Sequence, residues 1–290
     1  MAQWGRGWWG MSRADGWRLK VTHETRFDYD APARASYNEL RLTPRTELRQ
    51  TALETKVVTV PAAAQYSYVD YWGTQVVAFN IDRGHEMLTI TGTALVDTQQ
   101  SDLPGDASWE DVGDASETMA DYLSHNLYTA PTGELSELAQ GLRTDRPLET
   151  ARQIMDRVHH SLSYVRGVTG VHTSANEAYA DGAGVCQDFA HLALAMTKSV
   201  GLPSRYVSGY FHPEVDAIIG EEIAGESHAW VEVWTGSWWA YDPTNDCPVG
   251  ERHVAIGRGR DYSDVPPVKG IYAGNAEHTM QVGVRITRTH

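Results

Sequence analysis

The chain is predicted to adopt an α+β fold: an N-terminal antiparallel β domain, then a core in which a buried helix opening at a cysteine packs on an antiparallel sheet. Three observations carry this. Short alternating runs punctuated by Gly and Pro fill Trp17 to Val96. Helical spacing replaces them from about Glu117. A helix apolar nearly all round follows Cys186, and strands resume after it.

Taken in order, Met1 to Gly16 (MAQWGRGWWGMSRADG) is expected to be a flexible extension, lacking the continuous apolar stretch of a signal peptide. Arg18 to Phe27 alternates as a strand before a turn at Tyr29 to Pro32. Tyr37–Thr43, Leu53–Val60, Tyr66–Trp72, Thr74–Asp82 and Met87–Val96 supply further strands, so residues 17–97 form the β domain. The acidic, Gly- and Pro-containing stretch 98–116 is expected to be a linker, and 117–290 the core with its C-terminal strands. Glu117–Leu127 and Glu134–Leu142 are expected to be short helices. Pro147 opens a longer one, with Ala151, Ile154, Met155, Val158 and Leu162 at helical spacing.

Asp181-Gly182-Ala183-Gly184 makes a tight approach to Cys186. Phe189, Ala190, Leu192, Ala193, Leu194, Ala195, Met196 and Val200 then leave almost no polar face, until Gly201 and Pro203 stop the helix. A cysteine in the first turn meets free N–H groups and a positive helix end, which favour thiolate and can stabilise an adjacent oxyanion. Free cysteine is equally at home as a small buried hydrophobe, so a histidine must decide. Ser204 to Phe211 follows as a strand.

That histidine arrives in Ser227-His228-Ala229-Trp230-Val231-Glu232-Val233-Trp234, an alternating strand with His228, Trp230 and Glu232 on one face. A loop of three residues, Thr235-Gly236-Ser237, would set Trp234 against Trp238 and Trp230 against Asp242. His228 is then a diagonal neighbour of Asp242, within about 7–8 Å. Cys186, His228 and Asp242 thus form a catalytic candidate: nucleophile, general base and the carboxylate that orients the imidazole. Asn245 and Asp246 are rival orienters, and Gln187 or Tyr164 could join the Cys186 N–H in an oxyanion hole.

Other candidates are weaker. Asp188 and His191 share one side of the helix and are expected to be structural. His23 and His85 are expected to sit at the surface or in packing, and His159-His160 to be solvated. Trp230, Trp234, Trp238 and Trp239 suit cross-strand packing better than a cleft wall. No short ligand pair or calcium loop is visible, so neither metal nor cofactor is expected.

Composition bounds the partners. At 41% hydrophobic residues, a chain of 290 can bury a real core. A net charge of −14 argues against nucleic acid or an anionic membrane surface. No apolar run approaches the ~18 residues of a membrane span. Two cysteines, Cys186 and Cys247, are no disulfide framework, and their number suits the cytoplasm. A bridge between them would disarm the nucleophile.

GVCQDFAHL, GLPSRYVSGYF, ESHAWVEVW and WWAYDPTND closely resemble the core of the transglutaminase-like superfamily, in its bacterial branch of cysteine-protease candidates. The start, including Asn38-Glu39-Leu40-Arg41-Leu42-Thr43-Pro44, resembles the N-terminal domain of that branch, and Asp261 to Pro267 with the final strand its C-terminal part. The resemblance implies a papain-like α+β core with Cys186 as nucleophile, His228 as base and Asp242 as orienter. Its expected activity is acyl transfer at an amide bond through a thioester. Water is the favoured acceptor, giving a peptidase or amidase acting on a peptide or amide substrate. An amine acceptor, as in a transglutaminase, and a non-catalytic protein-binding module are the alternatives; oligomeric state is left open.

Overall fold

The computed structural model describes residues 16–47 and 49–290. The expected extension falls outside them but for Gly16, which already opens the first strand. That strand, β1 (Gly16–Ala33), is followed by β2 (Ala35–Leu40), β3 (Gln50–Val60), β4 (Gln65–Val69), β5 (Gln75–Ile81) and β6 (His85–Gln99). The turn expected at Tyr29 to Pro32 is not a strand end. β1 runs on to Ala33, and its register against β6 shifts between Asp28 and Ala33, where Pro32 withholds an N–H from the ladder.

The stretch expected to be a linker carries a helix, α1 (Trp109–Thr118). Ser108 caps it, accepting from the Asp111 N–H while the Asp111 carboxylate accepts from the Ser108 N–H. Val112 alone is fully buried, so no apolar periodicity could reveal it. Conversely, Glu117–Leu127 is not one helix. Helical geometry stops at Met119 (φ −115°, ψ 24°), a 3₁₀ turn follows at Ala120–Tyr122, and beyond it the Asn126 side chain accepts from the Tyr128 and Thr129 N–H groups in a turn.

Next come α2 (Gly133–Gly141), α3 (Pro147–Ser161), the two-residue β7 (Ser163–Tyr164), α4 (Ala175–Asp181), β8 (Ala183–Gly184) and α5 (Cys186–Ser199). Gly182, at φ 64° between α4 and β8, makes the left-handed turn that aims the chain at Cys186. The chain closes with β9 (Ser204–Phe211), β10 (Glu222–Trp234), β11 (Trp238–Asp242), β12 (Cys247–Pro248), β13 (His253–Gly259), β14 (Val268–Ala273) and β15 (His278–Arg288).

One nine-stranded sheet runs β12-β11-β10-β15-β1-β6-β3, with β9 on β10 and β13 on β9; a four-stranded sheet, β14-β2-β5-β4, covers part of it. Leu40, Leu42, Val77, Phe79, Ile81, Leu88 and Ile90 form the core between the two sheets. The C-terminal strands therefore return to the N-terminal ones: β15 lies between β1 and β10, and β14 pairs β2. A second core surrounds α5. Phe189, Leu192, Leu194 and Met196 are sealed by α2, α3 and Ala229, Val231 and Val233 of β10.

β10 is the strand that locates the site. Glu222 to Gly225 pair with β15, Glu226 to Val233 with β9, and Val231 to Trp234 with β11. Between Gly225 and Val231 one edge of β10 has no strand beside it, and His228 sits in that gap.

Candidate active site

Cys186 is the first residue of α5, half-buried, with its Sγ 4.0 Å from the Ser227 carbonyl oxygen on β10. Cys186 and His228 line one cavity of about 390 Å³, together with Tyr206, Glu226, Tyr262 and Val282. Cys247 is also a free thiol, so no bridge ties it to Cys186.

The hairpin has the register expected from a three-residue loop, with Trp234 against Trp238 and Val231 against Tyr241. Gly236, at φ 106°, makes the turn. His228 Nε2 lies 2.7 Å from Asp242 Oδ2, and both residues are buried. A carboxylate can only accept there, so Nε2 carries a proton and Nδ1 is left for the thiol. Burial alone would push the imidazole down. The Asp242 charge and hydrogen bond outweigh it, and with a contribution from the Cys186 sulfur they lift His228 to about 10.

Asp242 is the most heavily solvated-by-protein group of the site. Its Oδ2 also accepts from Asn245 Nδ2 at 2.7 Å and faces His253 Nε2 at 3.3 Å; Oδ1 accepts from the Thr244 and Asn245 N–H groups at 3.0 and 3.2 Å. Burial would raise this carboxyl, but the two imidazoles hold it well below the usual range. Asn245 thus supports Asp242 instead of replacing it, and Asp246 turns away to accept the Tyr241 hydroxyl at 2.7 Å.

His253 was missed. Its Nδ1 accepts from the Gly250 N–H at 3.2 Å, which puts the proton on Nε2 and aims it at Asp242. The only sequence signal was a short alternating run, HVAIGRG. Nothing local tells that it pairs with β9, setting His253 opposite Phe211. His228, Asp242 and His253 offer ligand atoms within 4.8 Å of one another, the one such metal-sized group among the described residues. Both imidazoles would have to give up their Nε2 protons to bind an ion, and those protons already serve Asp242.

The other expectations divide. Asp188 is structural, its Oδ2 accepting from the Val185 N–H (2.8 Å) and the Thr169 hydroxyl (2.6 Å) at the head of α5. His191 is fully buried, stacked on Tyr128 and accepting the Tyr262 N–H, and burial pushes it down to about 3, so it stays neutral. His23 and His85 are buried packing residues. His159 is not merely solvated: its Nδ1 lies 3.1 Å from the Pro243 carbonyl and pins the turn after Asp242 to α3. None of the four hairpin tryptophans lines the Cys186 cavity; Trp230 packs edge-on to His253, and Trp238 lies under the Arg205 guanidinium.

On comparison with known proteins, residues 136–243 match the transglutaminase-like superfamily core and residues 19–97 the bacterial transglutaminase-like N-terminal region. The protein ML0607 of Mycobacterium leprae is 41% identical over 276 residues, covering 94% of this chain and 99% of its own. Mb2599c of Mycobacterium bovis is 35% identical over 291 residues, covering 91% and 90%. Both are uncharacterized proteins. A crystal structure of a cysteine-protease candidate from Cytophaga hutchinsonii shares the fold, with a TM-score of 0.74 at 22% identity over 93% of this chain and 91% of that one. A strand-rich N-terminal region, a cysteine-headed helix and a His–Asp hairpin thus coincide with both family matches: the chain belongs to the transglutaminase-like superfamily, with the bacterial transglutaminase-like N-terminal region.

Proposed function

We propose that the protein is a cysteine-dependent enzyme that cleaves an amide bond of a peptide or related substrate through a thioester on Cys186. The observation that carries this reading is the His228–Asp242 pair: a buried imidazole with a defined tautomer, lining the same cavity as Cys186. In this mechanism His228 Nδ1 takes the thiol proton, and the sulfur attacks the carbonyl carbon. The tetrahedral oxyanion collapses, and the leaving amine departs with the proton from His228. Water, deprotonated by the same nitrogen, then releases the acid.

Hydrolysis is favoured over amine transfer because water outnumbers any amine, and a transferase must shield the thioester and bind its amine specifically. The deciding experiment is a panel of peptide and amide substrates against wild type and Cys186→Ala, with mass spectrometry for an acyl adduct on Cys186. Turnover that survives the substitution would overturn the assignment. Product analysis with excess lysine-like amine separates the acceptors: a dominant amide conjugate would make the protein a transferase. No thiol reactivity and no turnover would leave the fold as a binding module. Among the described residues no helix is long and apolar enough to cross a membrane.

A further inference from the structure

The mechanism leaves one requirement without a residue, a second donor for the oxyanion. Both side chains considered from sequence are already engaged. The Tyr164 hydroxyl donates to Glu226 Oε2 at 3.1 Å, and the Gln187 amide donates to the Val171 carbonyl at 3.3 Å. A third group lines the same cavity as Cys186. Tyr206 is 2% exposed, and its hydroxyl makes no hydrogen bond among the described residues. The ring is buried but the hydroxyl is not sealed off, so it is free to donate to whatever acceptor occupies the cavity.

The sheet places Tyr206 on the correct side. It pairs with Val231, whose side chain joins the α5 core, so Tyr206 projects to that face of β9 and β10. His228 is three residues from Val231 and projects to the opposite face. Donor and base therefore approach the sulfur from different sides, as attack demands: the oxyanion and the protonated leaving group lie on different bonds of the tetrahedral carbon. The His191 ring, 5.4 Å away, braces the phenol, and burial, with the nearby Cys186 sulfur, keeps it protonated.

We propose that the Tyr206 hydroxyl and the Cys186 backbone N–H together form the oxyanion hole. As the sulfur bonds to the carbonyl carbon, the C=O π pair moves onto oxygen, which accepts both hydrogen bonds without taking either proton. On collapse that pair re-forms the carbonyl and the leaving group departs.

The proposal rests on Cys186 being the nucleophile, and the test keeps the two claims apart. Acylation is read as nitrophenolate release from p-nitrophenyl acetate, and thiol reactivity as alkylation by iodoacetamide, which displaces iodide and forms no oxyanion. Tyr206→Phe should acylate on the order of 10²-fold more slowly, the usual cost of one lost oxyanion donor, while alkylating at the wild-type rate. Acylation within about threefold of wild type would overturn the proposal. So would a parallel fall in both rates, which would mark Tyr206 as structural. Ser208→Ala, next along the same face of β9, is the comparison variant; a loss found there and not in Tyr206→Phe would also overturn it. Nitrophenolate release that persists in Cys186→Ala would instead defeat the nucleophile assignment.

Discussion

Replacing Asp242 by Asn tests the site most sharply, because it removes a charge while keeping the shape. Asn Oδ1 can still accept from the Thr244 and Asn245 N–H groups, so the turn should hold. The amide nitrogen then faces His228 Nε2, which must become an acceptor. The imidazole proton moves to Nδ1, the nitrogen needed to take the thiol proton. The electrostatic loss is also large. With the charge centres roughly 4 Å apart and an effective dielectric of about 20, the pair is worth about 4 kcal/mol. That is roughly three pKa units, or on the order of 10³ in the population of the imidazolium. Nitrophenolate release from p-nitrophenyl acetate should fall by about that factor, with the circular dichroism spectrum retained. The pH dependence of stability should change as well. His228 is raised to about 10, so its stabilising share is complete below about 6.5 and is lost as pH rises through 10. The variant should lack that alkaline decline. Activity within tenfold of wild type would refute the reasoning.

Three other outcomes follow from named contacts. His253→Phe removes a donor to a charged oxygen and should cost roughly 1.5–3 kcal/mol in denaturant unfolding; with Asp242 less satisfied, the pH–rate limb of His228 should move upward, and an unchanged limb would make His253 mere packing. Iodoacetamide near neutral pH should label Cys186 well before Cys247, whose thiol burial and the Asp242 charge push up to about 11; peptide mapping showing equal rates would contradict this. Glu232 accepts a bidentate pair from Arg258 at 2.9 Å and the Arg205 Nε at 2.6 Å, and these guanidiniums overcome burial to hold it near 2. Its contribution is present above about 4.5 and lost as pH falls through 2, so Glu232→Ala should cost about 3–5 kcal/mol at pH 7 by stranding buried charge and should flatten the acid limb of a pH–stability curve.

What the sequence determined by itself was everything set by local periodicity. Cys186 heads α5 because a Gly-rich approach and an apolar run leave it no other place. His228 and Asp242 share a face because strand residues alternate and the intervening loop has three residues. The helix at Trp109–Thr118 escaped because one buried residue makes no pattern, and the helix expected at Glu117–Leu127 gives way because the backbone leaves helical geometry at Met119 and only a 3₁₀ turn follows, which no window of hydropathy records. Only the tertiary structure decided which groups meet across the chain. Packing of α5 on β9 and β10 brings Cys186 beside His228, 42 positions apart in sequence. The pairing of β13 with β9 delivers His253 to Asp242, and the insertion of β15 between β1 and β10 leaves the unpaired edge where the site opens. These contacts depend on which strand lies beside which. That choice is made by burial summed over whole sheets, and no short stretch of residues contains it.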